Sequence, residues 1–303
     1  MPALFWLVDI VVKYLGNEKM RASTMRVLVT GANGYIGRHV TRSLLERGHE
    51  VVVAVRNSDD LTMGCEAYEG NILESTQHIF QLTGSPDVLI HLAWEDGFIH
   101  QSDKHLGNVH RHAQFIENML VGGLKQIVTA GTAHEIGFHI GPVDDQTATR
   151  PMHPYGIAKN YLRDVQWWLC QKYGAINQWV RCYYIWGDDR RNNSLFTKIL
   201  KAEDDGVAEF SLNSGEILYD FIRVEELGEM IGDVAEQTAI SGVINCSSGN
   251  PVSLKTMVLR FIQQNKLNIK PVWGKFPLRP YDSRAIWGDT TKIEKIRSNR
   301  LID

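Results

Sequence analysis

A glycine-spaced turn limits what this chain can fold into more than any other feature. Thr30-Gly31-Ala32-Asn33-Gly34-Tyr35-Ile36-Gly37 follows the apolar run Arg26–Thr30 and leads into Ile36–Arg47, whose apolar residues have helical spacing. Glycines let such a turn be tight and let backbone N–H groups approach a pyrophosphate. The N-terminus of the following helix adds partial positive charge. Gly31, Gly34 and Gly37, with Tyr35 and Ile36 between them, are therefore candidate phosphate-cradling residues. Strand, helix and a second strand in succession make the dinucleotide reading much stronger than a lone glycine pattern would.

The rest of the chain repeats that alternation. β-rich runs are predicted at Arg26–Thr30, Val51–Arg56, Val88–Ala93, Ile127–Ala130, Trp179–Tyr184 and Val243–Cys246. Helical spacing recurs at Ile36–Arg47, Lys104–Leu120, Tyr155–Tyr173 and Val224–Glu236, with Gly48 and Gly174 at expected C-caps. Near-continuous apolar strands separated by helices imply an α/β fold, a doubly wound parallel sheet covered on both faces. After Gly187 the pattern gives way to polar loops and a Pro- and Trp-bearing tail. We expect residues 25–187, with 217–248 returning, to form the dinucleotide-binding domain, and 188–216 and 249–303 to form a smaller substrate lobe over the carboxyl ends of the strands. With 303 residues, 44% of them hydrophobic, the chain can build both.

A net charge of −3 and the lack of any Lys/Arg run argue against a nucleic-acid surface. The four cysteines are scattered without metal-ligand spacing, which suits reduced thiols in a cytoplasmic enzyme. Residues 1–24 read as an extension outside the chemistry. The apolar stretch Ala3–Val12 is interrupted by Asp9 and too short for a membrane span. A short surface helix or a contact with a partner or a membrane surface are the readings it leaves.

Chemistry enters with Pro154-Tyr155-Gly156-Ile157-Ala158-Lys159. Pro154 suits the first turn of a helix, on which Tyr155 and Lys159 share a face. A free phenol has a pKa of about 10, and a neighbouring ammonium or an oxidised nicotinamide ring would lower it. Such a phenol can give a proton to a ketone oxygen or take it back. Thr132, at the end of the fourth predicted strand, is placed to orient that oxygen, or else caps a turn. At the end of the second strand stands Arg56 where an acidic residue would favour NAD. We therefore expect NADP(H), with NAD(H) as the alternative, and a solvated strand-end charge as the bland reading of Arg56.

These features resemble the extended short-chain dehydrogenase/reductase family, the nucleotide-sugar epimerase, dehydratase and ketoreductase group, from Met25 almost to the end. Thr30–Gly37 is similar to its TGxxGxxG turn, and Thr132, Tyr155 and Lys159 match its Ser/Thr-Tyr-Lys triad. Gly70-Asn71, followed by Ile72, resembles its adenine-contacting Gly-Asp, and His91-Leu92-Ala93-Trp94 its HxAA strand end. Asn108 matches an asparagine of the following helix, and Arg181–Gly187, with Tyr184, the R-x-x-x-Y-G segment. Tyr219–Val224 resembles RDFIxV, Gly242–Asn245 GxxN, and Arg279–Asp282 the RPxD loop. The resemblance thus implies cofactor contacts from Asn71, Ile72, Leu92, Ala93, Trp94, Asn108, Lys159 and Tyr184.

Two departures matter. Tyr219 stands where the family often has a phosphate-binding Arg, so Arg223 or Arg279 would have to substitute. Ala133-His134 replaces the Asp-Glu of the dehydratases, which argues against water loss. His134 would share a direction with Thr132 in an extended segment, as a proton shuttle or a structural or substrate-contacting group. Asn193 and Ser194 lie where relatives grip the sugar, or cap a helix. The resemblance implies NAD(P)H-dependent reduction of a nucleoside-diphosphate 4-keto-6-deoxy sugar, dTDP first. A 4-epimerase with tightly bound NAD and a cofactor-sensing regulatory protein are the rivals. It also implies a homodimer through Lys104–Leu120 and Tyr155–Tyr173, with Trp167-Trp168 on that face or in an ordinary core.

Overall fold

The computed structural model describes residues 24–58, 64–187, 190 and 192–300. The N-terminal extension before Thr24, and Asp188 of the loop after Gly187, lie outside the described residues. The first part of the chain runs β1 (Arg26–Thr30), α1 (Gly37–Glu46), β2 (Glu50–Val55), β3 (Glu66–Glu69), α2 (Ile79–Leu82), β4 (Val88–His91), α3 (Lys104–Gly122), β5 (Gln126–Thr132), β6 (Ile140–Val143) and α4 (Pro154–Tyr173). The remainder runs β7 (Ile176–Cys182), β8 (Tyr184–Trp186), α5 (Leu195–Asp204), β9 (Glu209–Ser211), β10 (Leu218–Arg223), α6 (Val224–Ala235), β11 (Gly242–Cys246), β12 (Pro251–Ser253), α7 (Leu254–Gln264), β13 (Lys270–Val272), β14 (Ala285–Gly288) and α8 (Thr291–Arg300).

Seven parallel strands form the main sheet in the order β11-β7-β5-β4-β1-β2-β3. Its central strands are apolar because both faces are covered. On one face Val40 and Leu44 of α1, Leu227 and Ile231 of α6 and Ile293 of α8 join the core. On the other, Phe115, Ile116 and Met119 of α3 pack with Leu162 and Leu169 of α4. This is the doubly wound nucleotide-binding architecture expected from the strand-helix alternation.

The structure adds a strand that the residues did not advertise. β3 reads Glu-Ala-Tyr-Glu, mostly exposed, and is a strand because it pairs with β2 at the sheet edge. The strand ending in Thr132 is therefore the fifth in chain order, not the fourth. The predicted run Trp179–Tyr184 also divides. β7 stays in the main sheet through Cys182, and β8 pairs instead with β10 in a second sheet. That second sheet, β12-β10-β14-β6 with β8 on β10, takes β6 from the first half of the chain. Its core gathers Phe196, Phe261, Ile286 and Tyr219.

Asp220 of β10 ties the second sheet to the end of the first. Its buried carboxylate accepts from Ser248 N–H (2.8 Å), Ser248 Oγ–H (2.6 Å), Gly249 N–H (2.9 Å) and Gly288 N–H (3.1 Å). Those donors lie in the β11–β12 loop and at the end of β14. The four cysteines are free, and Cys170, Cys182 and Cys246 are buried. Trp167 and Trp168 are 56% and 54% exposed, so they are not ordinary core. No described helix is long and apolar enough to cross a membrane.

Candidate active site

The chain order of strands reverses between β1 and β4, and this switch point of an open sheet is where a crevice forms. The glycine turn lies at the end of β1. Gly31 has φ +70°, and a Cβ there would sit 2.7 Å from Ala93 N. At Gly37, the first residue of α1, a Cβ would fall 2.1 Å from Gly31 O. Gly34 N–H donates to Gly31 O at 2.9 Å and closes the turn, with Ile36 at the helix N-cap and Tyr35 beside Phe98. Thr30 fixes the opposite wall, since its hydroxyl accepts from the N–H groups of Leu92 and Ala93, each at 3.2 Å. The glycines thus let the turn pack tightly on the end of β4 and on itself at the start of α1, the shape in which N–H groups of a helix start can meet a pyrophosphate.

At the end of β2, Arg56 is exposed and faces the Glu95 carboxylate at 3.5 Å. Glu95 also accepts from Asn108 Nδ2 at 3.1 Å. Asn71 caps a 3-10 turn, accepting from Leu73 N–H at 3.1 Å, and Ile72 behind it is core.

At the other end of the crevice, Thr132 ends β5 and Tyr155 and Lys159 project from the start of α4. A 3-10 turn, Ala133–Glu135, follows Thr132 as a capping box. Thr132 Oγ1 accepts from His134 N–H at 3.3 Å, which leaves the hydroxyl hydrogen to be donated. The Glu135 carboxylate accepts from Thr132 N–H at 2.7 Å and from the Trp179 indole N–H at 2.9 Å. Its second oxygen faces Arg163 at 3.6 Å and Arg181 at 3.5 Å. Glu135 is fully buried and Arg181 almost so, which makes this a desolvated carboxylate held by two guanidiniums and two N–H donors.

Tyr155 is packed among aromatic rings, with Trp94 at 6.3 Å, His105 at 5.1 Å and His100 at 5.5 Å between centroids. Burial pushes its phenol pKa up, and hydrogen bonding with Thr132 offsets part of that. The expected lowering by Lys159 is absent for a geometric reason. The Lys159 amine donates to Ala130 O at 2.7 Å and lies 4.0 Å from the centre of the Trp94 ring. Desolvation brings this amine down to about 8, partly offset by the Glu135 charge.

His134 reaches the cleft from a 3-10 turn and not from an extended segment. Its Nδ1 lies 3.3 Å from His153 Nε2, and its ring is 6.4 Å from that of Tyr184. Tyr184 in turn stacks on Tyr219 at 3.7 Å. Arg279 donates to the Tyr281 hydroxyl at 3.2 Å, and burial, with smaller contributions from His100, His153 and Arg279, holds His134 well below the ordinary imidazole range. Thr132, His134, Tyr155, Lys159, Tyr184, Tyr219 and Arg279 are thus brought together. Three residues stand apart from that group. Ser194 caps α5, accepting from Thr197 N–H at 3.2 Å, which is the capping role. Asn193 is exposed beside it, and Arg223 sits over Trp186 and pairs with Glu225 at 3.3 Å.

The sequence reading passed over three groups. Glu135 was detectable, since Thr-x-x-Glu is the capping-box pattern. His153 precedes Pro154 as the N-cap of α4, accepting from Gly156 N–H at 3.3 Å. His100 lies in the loop after β4 and carried no local signal.

The model of the NAD dependent epimerase/dehydratase family matches residues 27–247. The chain belongs to that family. It is 45% identical over 272 residues to the dTDP-6-deoxy-L-talose 4-dehydrogenase (NAD(+)) of Aggregatibacter actinomycetemcomitans, covering 87% of this chain and 99% of that one. A UDP-glucose 4-epimerase of Streptococcus mutans is 31% identical over 165 residues, about half of each chain. Among solved structures of the same fold, the UDP-glucose 4-epimerase of Thermotoga maritima with UDP-glucose superposes with a TM-score of 0.78 at 22% identity, covering 89% of this chain and 92% of that one. The Thermus thermophilus UDP-glucose 4-epimerase complex with NAD gives 0.75 at 19% identity, covering 89% and 92%.

Two outcomes are expected from this geometry. Glu135→Ala strands a buried guanidinium and an indole N–H and should lower stability by about 3–5 kcal/mol. By loosening Thr132 it should also reduce kcat/KM roughly tenfold to a hundredfold. Glu135→Gln keeps acceptors for Thr132 and Trp179 and should lose less; chemical denaturation and steady-state kinetics compare the two. In the protein without cofactor, Lys159 should be a cation below pH about 8 and neutral above it, whereas ordinary lysines change near 10.4. Competitive acetylation across pH reads that midpoint, and titration of Lys159 alongside the surface lysines would contradict it.

Proposed function

We propose that the protein interconverts the 4-hydroxyl and 4-keto forms of a dTDP-linked 6-deoxyhexose. The observation that carries this reading is the convergence of Thr132, Tyr155 and Lys159 at the end of a glycine-cradled crevice, in a chain 45% identical to a named dTDP-6-deoxy-L-talose 4-dehydrogenase. That relative is named in the direction of oxidation, whereas the sequence suggested reduction. The two are one equilibrium, and the same residues serve both.

When bound, the dinucleotide supplies the hydride donor or acceptor. The chain's own groups manage the oxygen and its proton. Thr132 Oγ–H donates to the C4 oxygen and sets its position against Tyr155. In oxidation Tyr155, as phenolate, takes the hydroxyl proton as the C4–H bond breaks, and in reduction it returns a proton to the alkoxide. Burial disfavours the phenolate, and the Lys159 amine is turned to Ala130, so the positive ring of the oxidised cofactor, when bound, would have to stabilise it. The rings around Tyr155 keep water from the reacting oxygen.

The charge pattern at the adenosine end favours NAD(H) over the NADP(H) suggested by Arg56. Arg56 is faced by Glu95, and Glu69, accepting from Ser58 Oγ–H at 2.9 Å, adds a second carboxylate to that rim. Two carboxylates repel a 2′-phosphate, whereas a ribose hydroxyl can donate to one. Arg279, beside Tyr219 and Tyr281, is the group best placed to meet the substrate diphosphate. We further propose a homodimer built on α3 and α4. Leu106 and Val121 of α3 and Ile157, Tyr161 and Trp168 of α4 are large, apolar and exposed, and the α4 residues recur on one helical face.

With dTDP-6-deoxyhexoses and their 4-keto forms, absorbance of NADH should change stoichiometrically with turnover, with kcat/KM higher for NAD(H) than for NADP(H). Tyr155→Phe should cut kcat by about 10²–10⁴ while leaving dinucleotide binding intact. Sugar turnover with no net change in NADH would identify an epimerase instead, and full activity of Tyr155→Phe would remove the proton-transfer role. In size-exclusion chromatography with light scattering, the protein should elute at twice the mass of one chain, and Trp168→Glu with Tyr161→Glu should shift it to a monomer; a wild-type monomer would end the dimer proposal.

A further inference from the structure

Besides the Thr132–Tyr155–Lys159 group, three imidazoles from three segments meet in the cleft. His100 comes from the loop after β4, His134 from the 3-10 turn after β5, and His153 from the N-cap of α4. One ring nitrogen of each lies within 4.8 Å of the other two. His134 Nδ1 and His153 Nε2 are 3.3 Å apart. Zn–N bonds of about 2.0–2.1 Å in tetrahedral geometry place neighbouring ligand nitrogens about 3.3–3.4 Å apart. That pair already has the separation of a tetrahedral edge. His100 Nδ1 is buried and has no hydrogen-bond partner among the described residues. Such an atom in a folded interior calls for a ligand, a water or an ion.

We propose that His100, His134 and His153 form a three-nitrogen site for a borderline-soft divalent cation such as Zn²⁺, Cu²⁺ or Ni²⁺, with its remaining position open to the cleft beside Tyr155. Imidazole is the ligand that these ions share, and three protein ligands plus one open position is the pattern of an exchangeable site. Two features oppose the cation. Arg279 lies near the three rings and its charge is felt at each of them, so the ion would bind against that repulsion. Ligation through His153 Nε2 also gives up the acceptor role of its Nδ1 toward Gly156, a weak bond at 3.3 Å. Without a metal the same nitrogens hold one another by an imidazole–imidazole hydrogen bond. The site is independent of which sugar the cleft accepts.

Chelator-stripped, untagged protein titrated with Co²⁺ tests the assignment without any turnover assay. The expected result is one Co²⁺ per chain, with the visible absorption of a tetrahedral nitrogen-ligated ion, displaced by Zn²⁺. His100→Ala and His134→Gln should each weaken binding about tenfold or more, and exposed His78→Ala should leave it unchanged. Circular dichroism checks that the variants are folded. His153→Asn, which keeps a helix-cap acceptor while removing the imidazole, gives an independent third variant. Co²⁺ binding that survives His134→Gln and His153→Asn, or no binding up to millimolar Co²⁺, overturns the proposal.

Discussion

The buried carboxylate of Glu135 holds the reaction end of the crevice together. It accepts the backbone N–H that presents Thr132 and the indole N–H of Trp179 in the neighbouring strand, and it faces Arg163 of α4 and Arg181 of β7. One side chain therefore sets the distance from the end of β5 to the helix that carries Tyr155 and Lys159. Gly131 makes the arrangement possible, since a Cβ there would lie 2.0 Å from the Trp179 indole nitrogen and 2.6 Å from the Glu135 carboxylate. A desolvated ion pair of this kind adds little net stability, but breaking it is costly, so it works as a register pin.

The chemistry sits where the winding of the sheet leaves a gap. Strand ends at a switch point have no helix above them, and the groups there are backbone N–H donors and the side chains that follow each strand. β1 contributes the glycine turn, β4 the Leu92–Trp94 wall, and β5 contributes Thr132. Trp94 joins the two functions. Its indole N–H donates to His105 at 3.0 Å, and its face covers the Lys159 amine. The amine is thereby held between Ala130 O and the Trp94 face, which gives a buried lysine a definite position.

What could be read from the residues was whatever is locally encoded. Val51–Val55 and Val88–Ile90 announce buried parallel strands by composition, and the Gly31–Gly37 spacing announces its turn because only glycine fits against Ala93 and Gly31 O. β3 escaped because pairing with β2, not its own polar residues, makes it a strand. The end of the Trp179–Tyr184 run escaped because Tyr184 trades one sheet for another. In the site, Tyr155, Lys159 and Thr132 were legible through their spacing. Their electrostatics were not: the fate of the Lys159 proton depends on its burial, set against the Glu135 charge, and the meeting of His100 with His153 depends on a loop whose path no local pattern specifies.

The division of one continuous run into β7 and β8 has a mechanical corollary. Only Tyr183 separates the last residue of β7 in the large sheet from the first residue of β8 in the small one, and its hydroxyl donates to Asn245 of β11 at 3.2 Å. The two sheets are therefore joined there through one anchored residue, so a change at Tyr183 reaches both of them at once.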